Sequence, residues 1–366
     1  MPMPWRCAMK TEWLRKEIRD FEPYVVAPIH ETHVINANEN YANVLQLPEI
    51  MTELMMRLPS FQPQIYPKPM ADELRFVLAE YMGVFPENIL AGNGGDEMIT
   101  DVLHTFLDNG DTILVHEPTF DMYEIGANIL GAKAVKVRDL SGYQHDRAGI
   151  LAAIKEKQPK LTVLCNPNNP TGELLPASFI EECVKAADNV VLVDEAYMEF
   201  AEAESVVGLI EKYPNLIVLR TLSKAFGLAG LRCGYLVADK DLINAVAKVK
   251  APYNLNSLTQ LLASIVVGHR DAVLPIRDGI VAERDRFYQE LTALPGVTAY
   301  LSRTNFILVQ VPGKADELFE AWRKADILVK KYTGNPLLPD AFRITVTTKD
   351  VDDAVLSVLK GVLGVA

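Results

Sequence analysis

Cysteine is scarce in this 366-residue chain, and the four present, Cys7, Cys165, Cys183 and Cys233, are scattered without C-x-x-C pairs or neighbouring histidine clusters. That spacing excludes a zinc ribbon or a disulfide framework, and it suits a reducing cytoplasm. No run of about 18 apolar residues exists, so no transmembrane helix is expected. Lys10, Glu12, Arg15, Lys16 and Glu17 interrupt the early apolar residues, so no secretory leader is expected either. Positive charge is in deficit: 36 Lys and Arg face 48 Asp and Glu, a formal net charge of −12. Such a chain is repelled by nucleic acid and by anionic membrane, and a small-molecule substrate is the better expectation. G-x-G-x-x-G and the Walker pattern are missing, which removes the usual signatures of nicotinamide and P-loop nucleotide binding.

What is present is an ordinary globular composition, 49% hydrophobic and 23% charged, in a chain long enough for two unequal domains. Residues 11–63 read as an arm with a helix near Leu45 to Leu58. Helical periodicity follows over Ala71 to Met82, then a loop from Ala91 to Asp96 and a helix from Glu97 to Leu107. Short apolar runs then alternate with helical stretches: Thr112 to Val115, Ala134 to Val137, Leu161 to Cys165, Val190 to Val193 and Ile217 to Arg220. Several are apolar at consecutive positions, as in strands covered on both faces. The pattern predicts an α/β fold whose large domain has a mostly parallel, doubly wound sheet flanked by helices. A helical region from Leu258 to Leu294 with an interruption at Pro275, strands at Asn305 to Val311 and Phe342 to Val346, and a helix from Ala315 to Lys324 predict a smaller α+β domain. The expected division is 1–45 as arm and part of the small domain, 46–250 as the large domain and 251–366 as the small one.

Ligands of doubly wound sheets lie at the carboxyl ends of the strands, and four such ends carry unusual residues. Ala91-Gly92-Asn93-Gly94-Gly95-Asp96-Glu97 leads into a helix; it suits a phosphate cradle, or equally a glycine turn with an acidic cap. Asn166-Pro167-Asn168-Asn169-Pro170-Thr171-Gly172 fixes side-chain amides on a stiff loop. Asp194 ends an apolar strand, where it caps the next helix or pairs with a protonated ring nitrogen, and Glu195 reads as its solvated or structural companion. Lys224 stands among small and apolar residues, as a snorkelling lysine or a desolvated amine suited to Schiff-base chemistry. Thr221, Ser223 and Arg232 beside it are phosphate ligands by type. Ser223 and Lys224 are adjacent rather than spaced S-x-x-K, which argues against a serine hydrolase. An amine nucleophile, phosphate donors and a carboxylate for a ring nitrogen together describe an aldehyde-bearing phosphorylated pyridine.

With these motifs the chain resembles the fold-type I pyridoxal 5′-phosphate (PLP) enzymes, the class I and II aminotransferases, and among them the histidinol-phosphate aminotransferase branch. The resemblance runs from Asn36-Ala37-Asn38-Glu39-Asn40 through Tyr66-Pro67, Gly92 to Glu97, Glu117-Pro118-Thr119-Phe120, Asn166 to Gly172, Asp194 to Tyr197 and Thr221 to Gly234, to Arg343-Ile344-Thr345-Val346. It implies that Lys224 carries the cofactor as an aldimine and moves the substrate proton, in a ping-pong cycle. It further implies that Asp194 meets the ring nitrogen, Asn169 and Tyr197 the phenolic oxygen, and Phe120 the ring face. Phosphate ligands would be the backbone of Gly95 and Asp96, with Thr221, Ser223 and Arg232, and Tyr66 would reach the phosphate from a neighbouring subunit in a homodimer with shared active sites. Arg343, Asn38, Tyr24 and Lys330 would lie on the substrate side.

Two departures bear on the substrate. Lysine stands at 330 where the branch has an arginine for the substrate phosphate, with Arg303 as a possible second cation, and Tyr41 follows Asn40 where the pattern has proline. The resemblance implies amino transfer from L-histidinol phosphate to 2-oxoglutarate, with an aromatic amino-acid aminotransferase or a threonine-phosphate-type decarboxylase as alternatives on the same scaffold.

Overall fold

A computed structural model describes residues 10–19 and 29–365 of the chain. In chain order its strands and α-helices are β1 (His33–Ile35), α1 (Pro48–Arg57), α2 (Asp72–Met82), β2 (Ile89–Gly92), α3 (Gly95–Phe106), β3 (Thr112–Glu117), α4 (Met122–Leu130), β4 (Lys133–Arg138), α5 (Arg147–Lys157), β5 (Leu161–Cys165), α6 (Ala177–Ala186), β6 (Val190–Asp194), β7 (Leu216–Thr221), β8 (Gly234–Ala238), α7 (Lys240–Val246), α8 (Ser257–Gly268), α9 (Arg270–Thr292), β9 (Thr298–Ala299), β10 (Phe306–Gln310), α10 (Ala315–Lys324), β11 (Ile327–Lys331), β12 (Ala341–Thr345) and α11 (Lys349–Leu363).

Seven strands form the larger sheet in the order β2-β8-β7-β6-β5-β3-β4. From β4 to β7 every pairing is parallel, and β8 runs antiparallel to both β7 and β2. The consecutive apolar runs have the expected cause. Val191 and Val193 of β6, with Leu216 and Val218 of β7, face one apolar cluster. Leu192, Ile217 and Leu219 face another on the opposite side. Each such side chain, fully buried, contributes about 1.5–3 kcal/mol. The period of two also sets the chemistry, because Cys165, Asp194 and Thr221 end β5, β6 and β7 on the face that α3 and α4 cover.

The second sheet has the order β1-β11-β12-β10-β9. The N-terminal arm does enter it, since β1 pairs in parallel with β11 through Ile35 opposite Val329. β12 lies between β10 and β11, with Arg343 opposite Leu308 on one side and Lys330 on the other.

Three expectations need correction. Ala91 and Gly92 belong to β2 rather than to a loop, and α3 starts at Gly95, two residues before Glu97. The interruption near Pro275 lies instead at His269, between α8 and α9, while Pro275 sits inside α9. Proline in the second turn of a helix removes a single hydrogen bond, whereas the non-helical backbone of His269, with ψ at 29°, turns the chain.

Candidate active site

The carboxyl ends of the large sheet and the near edge of the small one enclose a cavity of about 210 Å³. Its walls include Lys224, Gly95, Asp96, Phe120, Asn169, Asp194, Tyr197, Thr221, Ser223, Arg232, Arg343 and Asn38. Residues as far apart in sequence as Asn38 and Arg343 are therefore brought to one place.

One end of the cavity is a cradle. Gly94, at φ 91°, precedes the first turn of α3, whose N–H groups have no partner within the helix. A Cβ on Gly94 would come within 2.7 Å of Arg232 Nη2, and one on Gly234 within 2.5 Å of the Gly94 and Gly95 backbone. Glycine is thus required where β8 passes under the loop. Arg232 Nη2 donates to Asp96 Oδ2 at 2.8 Å. Thr221 Oγ1 lies 3.0 Å from Ser223 Oγ, and the Ser223 N–H donates back to Thr221 Oγ1 at 3.1 Å. Two hydroxyls, a guanidinium and a helix N-terminus converging on one space fit a phosphate.

Asp194 also lines the cavity. Tyr123, fully buried on α4, donates to Asp194 Oδ2 at 2.6 Å, and the Ala196 N–H donates to Oδ1 at 3.0 Å. Burial raises the Asp194 carboxyl to about 6, and the tyrosine bond opposes that rise. Burial, followed by the Asp194 charge, pushes the Tyr123 hydroxyl well above its usual range, so Tyr123 is fixed as the donor. The sequence reading missed Tyr123; the signal available was its place three residues after Phe120. The two rings meet edge to face at 5.7 Å. Glu195 is the structural member of the pair and not a solvated one. It is fully buried against Arg220 Nη1 at 2.7 Å, Ser205 Oγ at 2.6 Å and the Val206 N–H at 2.9 Å.

Lys224 lines the same cavity, with Nζ donating to the Ala37 carbonyl at 2.8 Å. Burial and then Arg343 lower its amine to about 8, so a neutral, nucleophilic fraction exists near neutral pH. Asn38 Nδ2 donates to Tyr197 Oη at 2.9 Å, and Arg343 Nη1 donates to Asn169 Oδ1 at 2.6 Å. Arg343 Nη2 donates to the Asn36 carbonyl at 2.7 Å, which leaves Nε buried and without a hydrogen-bond partner.

The remaining candidates lie elsewhere. Lys330 is outside the cavity wall but directly opposite Arg343 across the β11–β12 pair, and its charge reaches Asp121. Arg303 is no part of the wall; it faces Glu202 at 3.7 Å. Tyr66 is 78% exposed and stacks on Tyr253 at 4.7 Å, away from the cavity of its own chain. Tyr24 falls outside the described residues.

Known proteins are similar to this chain over nearly its whole length. A protein of Thermoanaerobacter pseudethanolicus named histidinol-phosphate aminotransferase is 40% identical over 352 residues, which is 96% of this chain and 98% of that one. The crystal structure of histidinol-phosphate aminotransferase from Sinorhizobium meliloti, in complex with pyridoxal-5′-phosphate, superposes with a TM-score of 0.86 at 23% identity, covering 96% of this chain and 97% of the other. An L-threonine-O-3-phosphate decarboxylase from Porphyromonas gingivalis superposes with a TM-score of 0.76 at 24% identity, over 91% and 99% of the two chains. These two structures speak to the fold. The family model for aminotransferase class I and II matches residues 32–359, and the chain belongs to that family.

Proposed function

We propose that the chain is a pyridoxal 5′-phosphate-dependent aminotransferase that moves the amino group of L-histidinol phosphate to 2-oxoglutarate. The observation that carries this reading is Lys224: an amine lowered by burial that shares one cavity with a phosphate cradle and a buried, hydrogen-bonded carboxylate. The 40% identical relative supports the choice of substrate. When bound, the cofactor supplies an electrophilic carbon for amines and an electron sink for the bond broken at the substrate Cα.

The protein's own groups have separable tasks. Gly95, Asp96, Thr221, Ser223 and Arg232 hold the phosphate. Asp194 accepts from the ring nitrogen; because Tyr123 and Ala196 already donate to its two oxygens, it is held as an acceptor. Asn169 accepts from Arg343 through Oδ1, which frees its Nδ2 to donate to the ring oxygen. Tyr197 accepts from Asn38 and keeps its own O–H to donate to the same oxygen. Phe120 covers the ring face. With the cofactor in place, Lys224 Nζ would carry the proton from the substrate Cα to the cofactor carbon that keeps the amino group, and in the opposite direction in the second half-reaction.

Arg343 and Lys330, opposite each other on β12 and β11, provide two cations beside the cavity. Arg343 meets the carboxylate of the keto acid, and Lys330 meets the phosphate of histidinol phosphate as a point charge without the planar fork of arginine. The enzyme works as a homodimer, with the exposed Tyr66 reaching the phosphate of the neighbouring subunit's site. The buried free thiols of Cys165, Cys183 and Cys233 suit the cytoplasm. The division into residues 1–45, 46–250 and 251–366 is part of the same reading.

A panel of amino donors tested with 2-oxoglutarate, measuring glutamate formed and carbon dioxide released, decides the matter. The reading requires glutamate from histidinol phosphate at the highest kcat/KM. Preference for phenylalanine or tyrosine, or carbon dioxide without glutamate, would sink it.

A further inference from the structure

Beneath the cavity lies a second polar cluster with no part in the chemistry above. His116 on β3, Asp139 just past β4 and His145 just before α5 have side chains almost wholly removed from solvent. His145 Nδ1 is 3.0 Å from Asp139 Oδ1, and His116 Nδ1 is 3.9 Å from the same oxygen. The two rings meet edge on, with centroids 4.4 Å apart. Among the described residues no lysine or arginine forms an ion pair with Asp139. His116 Nδ1, Asp139 Oδ2 and His145 Nε2 are buried without a hydrogen-bond partner.

One ligand atom from each residue falls within 4.8 Å of the others, close enough to suggest a metal centre. The tautomer argues against one. The Cys165 N–H donates to His116 Nε2 at 3.3 Å, so Nε2 carries the lone pair and Nδ1 carries the hydrogen, on the side of Asp139 but beyond hydrogen-bond reach at 3.9 Å. A metal on Nδ1 would force the hydrogen onto Nε2, against the Cys165 N–H. Burial supports a shared proton instead: it raises Asp139 to about 8, helped by Asp146 and Glu117, and lowers His145 to about 4, helped by Arg147. Glu173, the remaining charged neighbour, is raised by burial to about 7.

The cluster borders one active-site loop. The His116 ring holds the Cys165 N–H at its start, and the backbone N–H of His145 donates to Glu173 Oε2 at 2.8 Å just past its end. Within the loop, Asn168 Nδ2 donates to the Pro118 carbonyl at 2.9 Å, and Asn168 Oδ1 accepts from Thr119 Oγ1 at 2.8 Å. Asn169 follows Asn168, and Phe120 follows Thr119. We propose that His116, Asp139 and His145 are positioning residues: a buried relay in which His145 and Asp139 share a proton and His116, packed against His145, clamps through the Cys165 N–H the start of the loop bearing Asn169 and, through Asn168, the segment bearing Phe120. Its effect on turnover rests on the aminotransferase reading, whereas the relay itself does not.

The first test is ¹⁵N NMR of the histidine rings in the whole protein loaded with cofactor. The relay requires His116 as the neutral Nδ1–H tautomer, with both rings uncharged from about pH 5.5 to 8.5. An Nε2–H tautomer at His116, a ring that gains charge in that range, or displacement of both signals by one equivalent of Zn²⁺ would overturn it. The second test compares His116→Leu with His116→Gln, whose side-chain oxygen restores an acceptor opposite Cys165. His116→Leu is expected to lower kcat/KM about tenfold, and His116→Gln to recover it to within about threefold, with both variants losing thermal stability. Equal impairment of the two, or none in His116→Leu, contradicts the relay. Correct tautomers in a protein without aminotransferase activity would sink the functional reading and leave the relay standing.

Discussion

The two walls of the cavity are built by different means. The wall from the large sheet takes Cys165, Asp194 and Thr221 from the ends of adjacent parallel strands, with Lys224 and Arg232 a few residues beyond. The wall from the small sheet joins Asn38 near the N-terminus to Arg343 near the other end, with Lys330 opposite Arg343 just outside it, and the Asn38 N–H donates to Thr345 Oγ1 across 307 positions. Adjacent strand ends impose a geometry that local sequence nearly determines. The second wall exists only after the arm has paired with β11. The difference teaches that the first wall is suited to a constant ligand and the second to a ligand that changes within the family.

If that division holds, variants in the first wall abolish turnover with every substrate, and variants in the second discriminate between substrates. The largest effect is expected for Lys224→Ala, with kcat reduced by about 10³-fold or more for all donors in single-turnover measurements. Asp194→Asn should cost about 10²–10³-fold in kcat, again without regard to donor. Arg343→Ala should raise KM for 2-oxoglutarate by about thirtyfold with a smaller change in kcat, since a charged hydrogen bond contributes about 1.5–3 kcal/mol; an equal fall in kcat would show that the walls are not separable.

The pH dependence of cofactor uptake follows from the sign of the Lys224 shift. The amine, lowered to about 8, is protonated below that pH and neutral above it. Uptake by cofactor-free protein, followed by absorbance, should therefore fall about tenfold per pH unit below 8 and level off above it. The smallest effect is expected for Lys330→Ala: KM for histidinol phosphate about fivefold higher, and KM for unphosphorylated donors unchanged, as suits a partly solvated point charge. An equal rise for both donors would remove Lys330 from phosphate recognition.

Much of this was legible in the residues, and the exceptions have physical causes. β5, β6 and β7 were readable because both faces of these strands are buried, so apolar residues fill most of their positions and the polar ones gather mainly at the strand ends. β2 and β8 were missed because they are short and bounded by glycines that serve the loop above them, a local signal that reads as turn. β11 was seen only as a substrate segment, since its register is imposed by its neighbours β1 and β12. The break at His269 was misplaced because proline is tolerated early in a helix. Tyr123 and the His116 relay were invisible because hydrogen bonds between separate strands and helices leave no spacing rule in a single chain.

The identity of the reactive groups was determined by the sequence alone: a lysine amid small residues, two hydroxyls and an arginine beside it, and a carboxylate ending an apolar strand, each placed by the short-range geometry of a strand end. Tertiary structure alone decided their state. Packing removed Lys224 from water and so lowered its amine, brought Tyr123 onto Asp194, and set Lys330 against Arg343 across two strands. Desolvation and proximity are properties of the folded interior, and no local run of residues contains them.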